Sequence, residues 1–187
     1  SVIVFISALI SGLQTNLFRR TLDYQAQIVI RPQEEVARSL RSTAGAELAT
    51  LVQPRAQRLR SVDQWQTVRK ALEALPEVVV VAPVLAGAGF VVRGDANKAI
   101  SLVGIEPRSY LQLIALRSQM VEGSAEVSSA DILIGTELGK ILGVGLGDKL
   151  IVQTANAASA TLSVSGVFDF GNKGVNERSV YVALRTA

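Results

Sequence analysis

The sequence predicts an α+β domain built on a mixed sheet. Its 187 residues suit one domain, or one domain carrying a smaller insert, and are enough to bury a core. A hydrophobic content of 49% and a mean hydropathy of +0.34 exclude a disordered chain. Short runs rich in β-branched residues alternate irregularly with segments of helical periodicity. This irregular order favours an α+β fold with a mixed sheet.

The amino terminus carries an apolar run that we interpret as the last half of a transmembrane helix. Residues 1–13 read SVIVFISALISGL, and the basic pair Arg19-Arg20 follows them. The run is shorter than the roughly 20 residues that span a bilayer. A signal peptide would have its basic residues before the apolar part. An apolar stripe continues as far as Tyr24, so the helix is expected to leave the membrane there; a buried core helix would suit the same pattern.

The first half of the chain alternates between strand and helix patterns. Ala26 to Arg31 contains three β-branched residues and stops at Pro32, which predicts a strand. Apolar residues recur every fourth position in Glu34 to Val52, which predicts a helix. Ser61 and Gln64 match a capping box for a second helix that ends at Pro76, with Trp65 on its core-facing stripe. Val78 to Val81 is predicted to be a strand buried on both faces.

The second half is expected to be mainly strands. A hairpin joins Phe90–Val92 to Ile100–Val103 through a loose Gly/Asp/Asn loop. Pro107 suits the first turn of a short helix, and a second short helix is expected between Gly135 and Gly143. The other predicted strands are 132–134, 150–152, 161–168 and 179–184.

The residue inventory excludes several kinds of site. The chain has no histidine and no cysteine, so it has no Ser-His triad, cysteine nucleophile, Cys/His zinc site or disulfide. Its net charge of +3 and its 5% of aromatic residues give no basic, stacking surface, so no nucleic-acid partner is expected. The arginines of residues 54–61 are interpreted as a solvated face or loop.

No arrangement of the remaining polar residues predicts catalysis. The glycines from Gly143 to Gly147 fit no phosphate-binding frame, and Asp148-Lys149 after them indicates a tight turn. No SxxK or GxSxG motif occurs, although serines and lysines are present. The adjacent Glu34 and Glu35 would point to different faces of a helix, and Glu122, Asp131 and Asp169 are isolated. We therefore predict no catalytic, cofactor-binding or metal-binding residue, although a Ser-Lys or carboxylate enzyme of unrecognised type stays open.

Several stretches together resemble the extracytoplasmic domain of ABC-transporter permeases of the macrolide-exporter (MacB-like) and lipoprotein-releasing (LolC-like) type, within the FtsX-like permease superfamily. The most specific stretch runs from Ile134 to Leu150 and contains a strand, a short helix and a glycine-aspartate turn. The others, in the family's order, are 12–30, 75–83, 103–107, 164–168 and 180–184.

The resemblance implies an architecture of three parts. Residues 1–24 would be the end of a transmembrane helix and its extension. Residues 25–104 and 148–187 would form a porter-like subdomain, and residues 105–147 a smaller inserted α/β subdomain. A further membrane helix would follow Ala187 in the complete permease. The loop from Ala155 to Ala160 is too short for the hairpin of lipoprotein-releasing members, and residues 33–60 exceed the usual first crossover.

The resemblance also implies a function without enzymatic activity in this domain. The domain would lie on the periplasmic side of the inner (cytoplasmic) membrane and relay ATP-driven movement of the spans to substrates or partners, in export or mechanotransmission. It would hold no cofactor, because ATP would be hydrolysed on a separate cytoplasmic subunit. Its partners would be that ATPase, a second permease protomer and a periplasmic adaptor. The alternative is an FtsX-like regulatory module acting on a cell-wall hydrolase.

Overall fold

The computed structural model describes residue 26 and residues 28–32, 61–154 and 158–187. The strands are β1 (Val84–Arg93), β2 (Ala96–Ile105), β3 (Met120–Gly123), β4 (Asp131–Gly135), β5 (Lys149–Thr154), β6 (Ser159–Phe168) and β7 (Ser179–Ala183). The helices are α1 (Trp65–Glu73), α2 (Pro107–Leu113), α3 (Thr136–Leu142) and α4 (Lys173–Arg178), with a 3-10 turn at Leu116–Gln119.

Six of these strands pair in a closed ring. Their order is β6-β4-β7-β2-β1-β5, and β5 returns to pair with β6. The long strand β6 makes closure possible because residues 159–163 pair with β5, while residues 163–168 pair with β4. The pairs β2–β7 and β4–β6 are parallel and the other pairs are antiparallel. The predicted α+β class with a mixed sheet is therefore confirmed.

The ring is filled by apolar side chains that alternate along each strand. In β4, Ile132 and Ile134 point to one cluster and Leu133 between them points to another, as the twofold repeat of a strand requires. The first cluster also takes Leu138 and Leu142 from α3. Its other members are Val91, Ile100, Leu102, Val144, Leu150, Val152, Leu162, Val164, Val167, Val180 and Val182.

The second cluster lies on the opposite face of β4, β6 and β7. It joins Leu133, Phe168 and Tyr181 to Ile114 and Leu116 from the segment of α2 and the 3-10 turn. The rings of Phe168 and Tyr181 meet edge to face with centroids 5.3 Å apart. The central strands are thus buried on both faces, which explains their nearly continuous apolar composition.

Glycine and proline set several element boundaries where the sequence predicts them. Arg93 pairs with Ala96, so the hairpin loop is only Gly94-Asp95 and is tight rather than loose. Gly94 has φ +56°, a conformation that side-chain-bearing residues rarely adopt. Pro107 opens α2, and α3 lies between Gly135 and Gly143, the latter in the left-handed region.

Three predictions for the amino-terminal half are wrong. Val78–Val81 has no regular secondary structure in the described part of the chain, and Val79 is 95% exposed. The described residues 28–32 also form no strand. The helix begins at Trp65 with Gln64 as its N-cap, and no side chain caps it, so Ser61 and Gln64 form no capping box. Residue composition indicated strands here, but strands also need a hydrogen-bonded neighbour.

The predicted domain boundaries stay a prediction. The range 1–24 and the predicted helix 34–52 lie outside the described residues, as do residues 155–157. Strand β4, from the predicted insert 105–147, hydrogen-bonds to β6 and β7 within the same sheet as the flanking ranges. In the described ranges, no helix has the length and hydropathy needed to cross a bilayer.

Candidate interaction surface

An open groove of about 500 Å³ lies between α1, the irregular segment 78–81 and α2. Local chemistry forms it: α1 ends before Pro76, and the amide of Val78 donates to the carbonyl of Leu75 to turn the chain. The chain then continues without regular secondary structure to β1, which begins at Val84. The groove is lined by Arg69, Glu73, residues 78–81, Glu106, Arg108, Ser109 and Gln112.

The polar wall of the groove is a small network of charges. The Arg69 guanidinium donates to Glu73 at 2.7 Å and lies 3.1 Å from Glu106. The hydroxyl of Ser109 donates to the same Glu106 carboxylate at 2.7 Å. The hydrogen bond to Glu73 is the main cause that raises the pKa of Arg69. Among the described residues, Arg108 has no ion-pair partner, so this wall keeps one cation available to a ligand.

The other wall is apolar and exposed. Val79 projects into solvent, and none of the residues of α1 is buried. Trp65, predicted to be a core residue, is 38% exposed, so that prediction is wrong. The α1 residues that line the groove are Arg69 and Glu73, and no residue of the apolar stripe of α1 belongs to either core cluster. A surface of this kind favours binding of another chain segment.

Beside the groove, half of β1 has an open edge. Strand β1 pairs with β2 along its whole length but with β5 only from Gly89 to Val92. Residues 84–88 thus present backbone groups without a strand partner on one side, in the part of the chain that the structure describes. Val84 and Leu85 are also partly exposed there. Unpaired backbone of this kind is a template for strand addition.

The glycine-rich segment has a structural role. Asp148 accepts a hydrogen bond from the Gly145 amide at 2.9 Å, and its carboxylate lies 3.5 Å from the Arg93 guanidinium. Arg93 also donates to the carbonyl oxygens of Leu142 and Gly143. The interpretation of Asp148 as a turn residue is confirmed, because its carboxylate holds the turn and the end of the hairpin together.

The structure does not bring the isolated carboxylates together. Asp131 accepts from the Ser128 amide, and Asp169 accepts from the Gly171 amide and the Asn176 side chain. Glu122 is exposed on β3, and Glu34 and Glu35 lie outside the described residues. Within the described ranges, no group of three or more acidic residues could hold a metal ion.

The fold agrees with that of an extracellular transporter domain of known structure. The chain has the fold of the extracellular domain of the noncanonic ABC-type transporter YknZ from Gram-positive bacteria, with 16% identity and a TM-score of 0.50. That alignment covers 64% of this chain and about 62% of the YknZ domain. A domain of a protein described as a permease from Porphyromonas gingivalis aligns at 16% identity and a TM-score of 0.49, over 63% of this chain and 56% of the other.

No protein-family model matches the chain, and no curated protein matches it. The likeness of fold bears out the resemblance to extracytoplasmic permease domains that the sequence motifs predict. The groove itself was not predicted from the sequence, since its walls come from three separate segments.

Proposed function

We propose that the chain is an extracytoplasmic domain of an ABC transporter permease subunit. It relays ATP-driven movement of the membrane spans to substrates or partners outside the membrane. ATP is hydrolysed on a separate cytoplasmic subunit, and this domain contributes no catalytic group. The full permease works with a second protomer, and a periplasmic adaptor binds the exposed surface.

The likeness of fold to the YknZ extracellular domain carries this proposal. Two features of the chain support it. The first is the apolar run at residues 1–13, which suits the end of a membrane helix. The second is the contrast between a closed, doubly buried sheet and an exposed apolar surface at α1 and residues 78–85. A closed, well-packed sheet that carries an exposed apolar surface suits a mechanical relay better than a reaction centre.

The test uses the parent protein in nanodiscs, purified with an ATPase subunit encoded beside it. We expect the two to co-purify, and we expect addition of an extracytoplasmic partner to change the rate of ATP hydrolysis. The matched control replaces residues 26–187 by a short flexible linker. That variant should keep the ATPase bound but lose the response to the partner. A parent that never binds an ATPase would contradict the proposal.

The same preparation separates export from regulation of a hydrolase. Chemical cross-linking of intact cells would capture the molecule that touches the domain. An adaptor protein supports the transport function, whereas a cell-wall hydrolase supports the regulatory alternative.

A further inference from the structure

We infer that the open edge of β1, residues 84–88, is a contact surface for a second copy of this chain. The two copies pair edge to edge and antiparallel, about a twofold axis through Ala86. The inference deepens the proposed function by naming the surface that binds the second protomer, and it rests on that function for the membrane assembly that holds both copies. The pairing itself is tested without any transport assay.

The open edge has a defined length. Gly89 pairs with Thr154 of β5, so the paired part of this side begins there. At the other end Pro83 precedes β1 and has no N–H group to donate to a neighbouring strand. Between these limits, in the part of the chain that the structure describes, no backbone hydrogen bond joins residues 84–88 to a segment on the side away from β2. A short incoming strand therefore fits this edge.

The side chains of the open edge are apolar and exposed. Val84 is 48% exposed and Leu85 is 38% exposed, and Ala86 and Ala88 are exposed as well. The run from residue 78 to residue 92 contains no polar or charged side chain. Edge strands that stay unpaired commonly carry charges, especially lysine, which prevent pairing with another chain. Because this edge has no such charge, it is suited to pairing.

The open edge is complementary to itself. In antiparallel pairing about a twofold axis through Ala86, Val84 lies opposite Ala88 of the second copy, and Leu85 lies opposite Gly87. Each larger side chain thus meets a small one, and Ala86 meets its own equivalent. No like charges face each other across the axis, whereas another protein would have to bring an apolar, uncharged edge of its own. Size and charge therefore both favour a second copy as the occupant.

The shortness of the edge favours a copy in the same assembly over a free partner. Stable interfaces between free proteins use roughly 20–30 residues a side, far more than residues 84–88 supply. In the proposed permease two protomers share one membrane assembly, so the effective concentration of one edge for the other is on the order of millimolar. Under that condition a weak contact is occupied, and it can open and close as the protomers move.

Disulfide trapping tests the pairing, since the natural chain has no cysteine. The parent protein in membrane vesicles, with any cysteine outside these 187 residues replaced by serine, receives Ala86→Cys, Val84→Cys or Ala88→Cys. Directly opposite residues of an antiparallel pair have Cα atoms about 4.5–5.5 Å apart, within the range that a disulfide accepts. The equivalents of Val84 in the two copies lie four residues out of register, about 14 Å apart. Of the three single variants, only Ala86→Cys should therefore join two copies.

The controls test the register. Ala99→Cys changes an alanine that is also exposed but lies on β2, away from the open edge, and it should give no cross-link. Val84→Cys and Ala88→Cys in two differently tagged chains of one assembly should cross-link to each other, although neither does so alone. Adding Ala86→Lys to both chains of that pair puts like charges opposite each other and should lower the yield severalfold, whereas Ala99→Lys should not.

Three results would overturn the inference: no cross-link from Ala86→Cys, equal cross-linking by Ala86→Cys and Ala99→Cys, or cross-linking by Val84→Cys alone. The second result would indicate random collision, and the third a different register. Thermal unfolding of each variant checks that the fold survives. Where Ala86→Cys does not fold, the mixed pair of Val84→Cys and Ala88→Cys decides between pairing and no pairing.

Binding of the ATPase subunit is measured in the same vesicles, so that the two proposals can fail separately. Cross-links without a bound ATPase would keep the pairing between copies and reject the permease function. A bound ATPase without cross-links would keep the permease function and reject the pairing.

Discussion

At the scale of single residues, Asn176 organises the connection between β6 and β7. Its side chain is only 3% exposed, and both ends of the amide are used. The oxygen accepts from the Phe170 amide at 3.0 Å, and the nitrogen donates to Asp169 at 2.6 Å. The backbone of Asn176 also lies against Gly135, where a Cβ atom would collide with it. Asn176 therefore ties α4 to the segment after β6 through its side chain and packs α4 against the end of β4 through its backbone.

The groups around Asp169, which lies beside the Asn176 amide, favour the charged form of its carboxyl. The Gly171 amide and then the Asn176 side chain donate to Asp169, and these hydrogen bonds lower the pKa of that carboxyl. Lys140 lowers it further. A lowered folded-state pKa stabilises the native chain above the unfolded value of about 3.9, and this contribution is lost as the pH falls through the folded pKa.

We predict that Asn176→Asp destabilises the domain at pH 7 by about 2 kcal/mol or more. The change puts a buried carboxylate beside that of Asp169, at the place where an amide donated to it. The loss relative to the natural chain should shrink toward pH 4, because one proton shared by the two carboxyls restores a hydrogen bond. Urea unfolding of both chains at pH 7 and at pH 4 measures this difference in the free energy of unfolding.

The matched control is Asn172→Asp. Asn172 caps α4 by accepting from the amides of Gly174 and Val175, and a carboxylate accepts equally well. This variant should stay within about 0.5 kcal/mol of the natural chain. If both variants lost the same stability, or if acid did not narrow the Asn176→Asp deficit, the role given to Asn176 would be wrong.

At the scale of elements, the short helix α3 packs against the first core cluster with one face only. Leu138 is fully buried and Leu142 nearly so, but Ile141 is 48% exposed. All three are apolar residues at the spacing of one helix face. Spacing indicates which residues share a side of a helix, but neighbouring elements decide how wide the buried part is. Here α4 and the sheet cover the side of Leu138 and leave Ile141 at the rim.

We expect Leu138→Ala to lower the free energy of unfolding by about 2–5 kcal/mol and Ile141→Ala to lower it by less than about 1 kcal/mol. The first change opens a cavity in the inner cluster, whereas the second removes atoms that are already half in water. Both substitutions remove a similar volume from the same helix, so differences in helix propensity nearly cancel. Denaturant midpoints with unchanged slopes would give the two values. Equal costs would mean that α3 buries both side chains.

An element could be predicted from the sequence where nearby residues determine it. Pro107, Gly135 and Gly143 mark helix ends through backbone chemistry that no distant contact overrides, and those helices were predicted correctly. Strand β3 and helix α4 were missed because four and six residues are too short to show a period. The segment 78–81 was misjudged because pairing depends on a neighbour elsewhere. The groove was missed for the same reason, since spatial proximity of α1 and α2 leaves no local signal.

At the scale of the whole molecule, the described chain divides into a closed ring and an adjoining layer. The ring has hydrogen bonds on both sides of most strands and two buried clusters. Helix α1 contributes no buried residue, and among the described residues the ion pair between Arg69 and Glu106 ties it to α2. A surface ion pair of this kind contributes roughly 0–1 kcal/mol. By the contacts that the described residues make, the helix that lines the groove is thus held much more weakly than the sheet.

Hydrogen exchange should therefore show two levels of stability in the 187-residue chain. Amides of α1 are expected to exchange through local opening, at least tenfold faster than amides of β4 and β7, which open only with the ring. Helix α3 is the control, because it is shorter than α1 and yet buries Leu138. If intrinsic helix formation set the rates, α1 would be protected better than α3; if packing sets them, the order is reversed. Equal protection of α1 and β4 would mean that the groove wall unfolds only with the sheet, and it could not then respond separately to a bound partner.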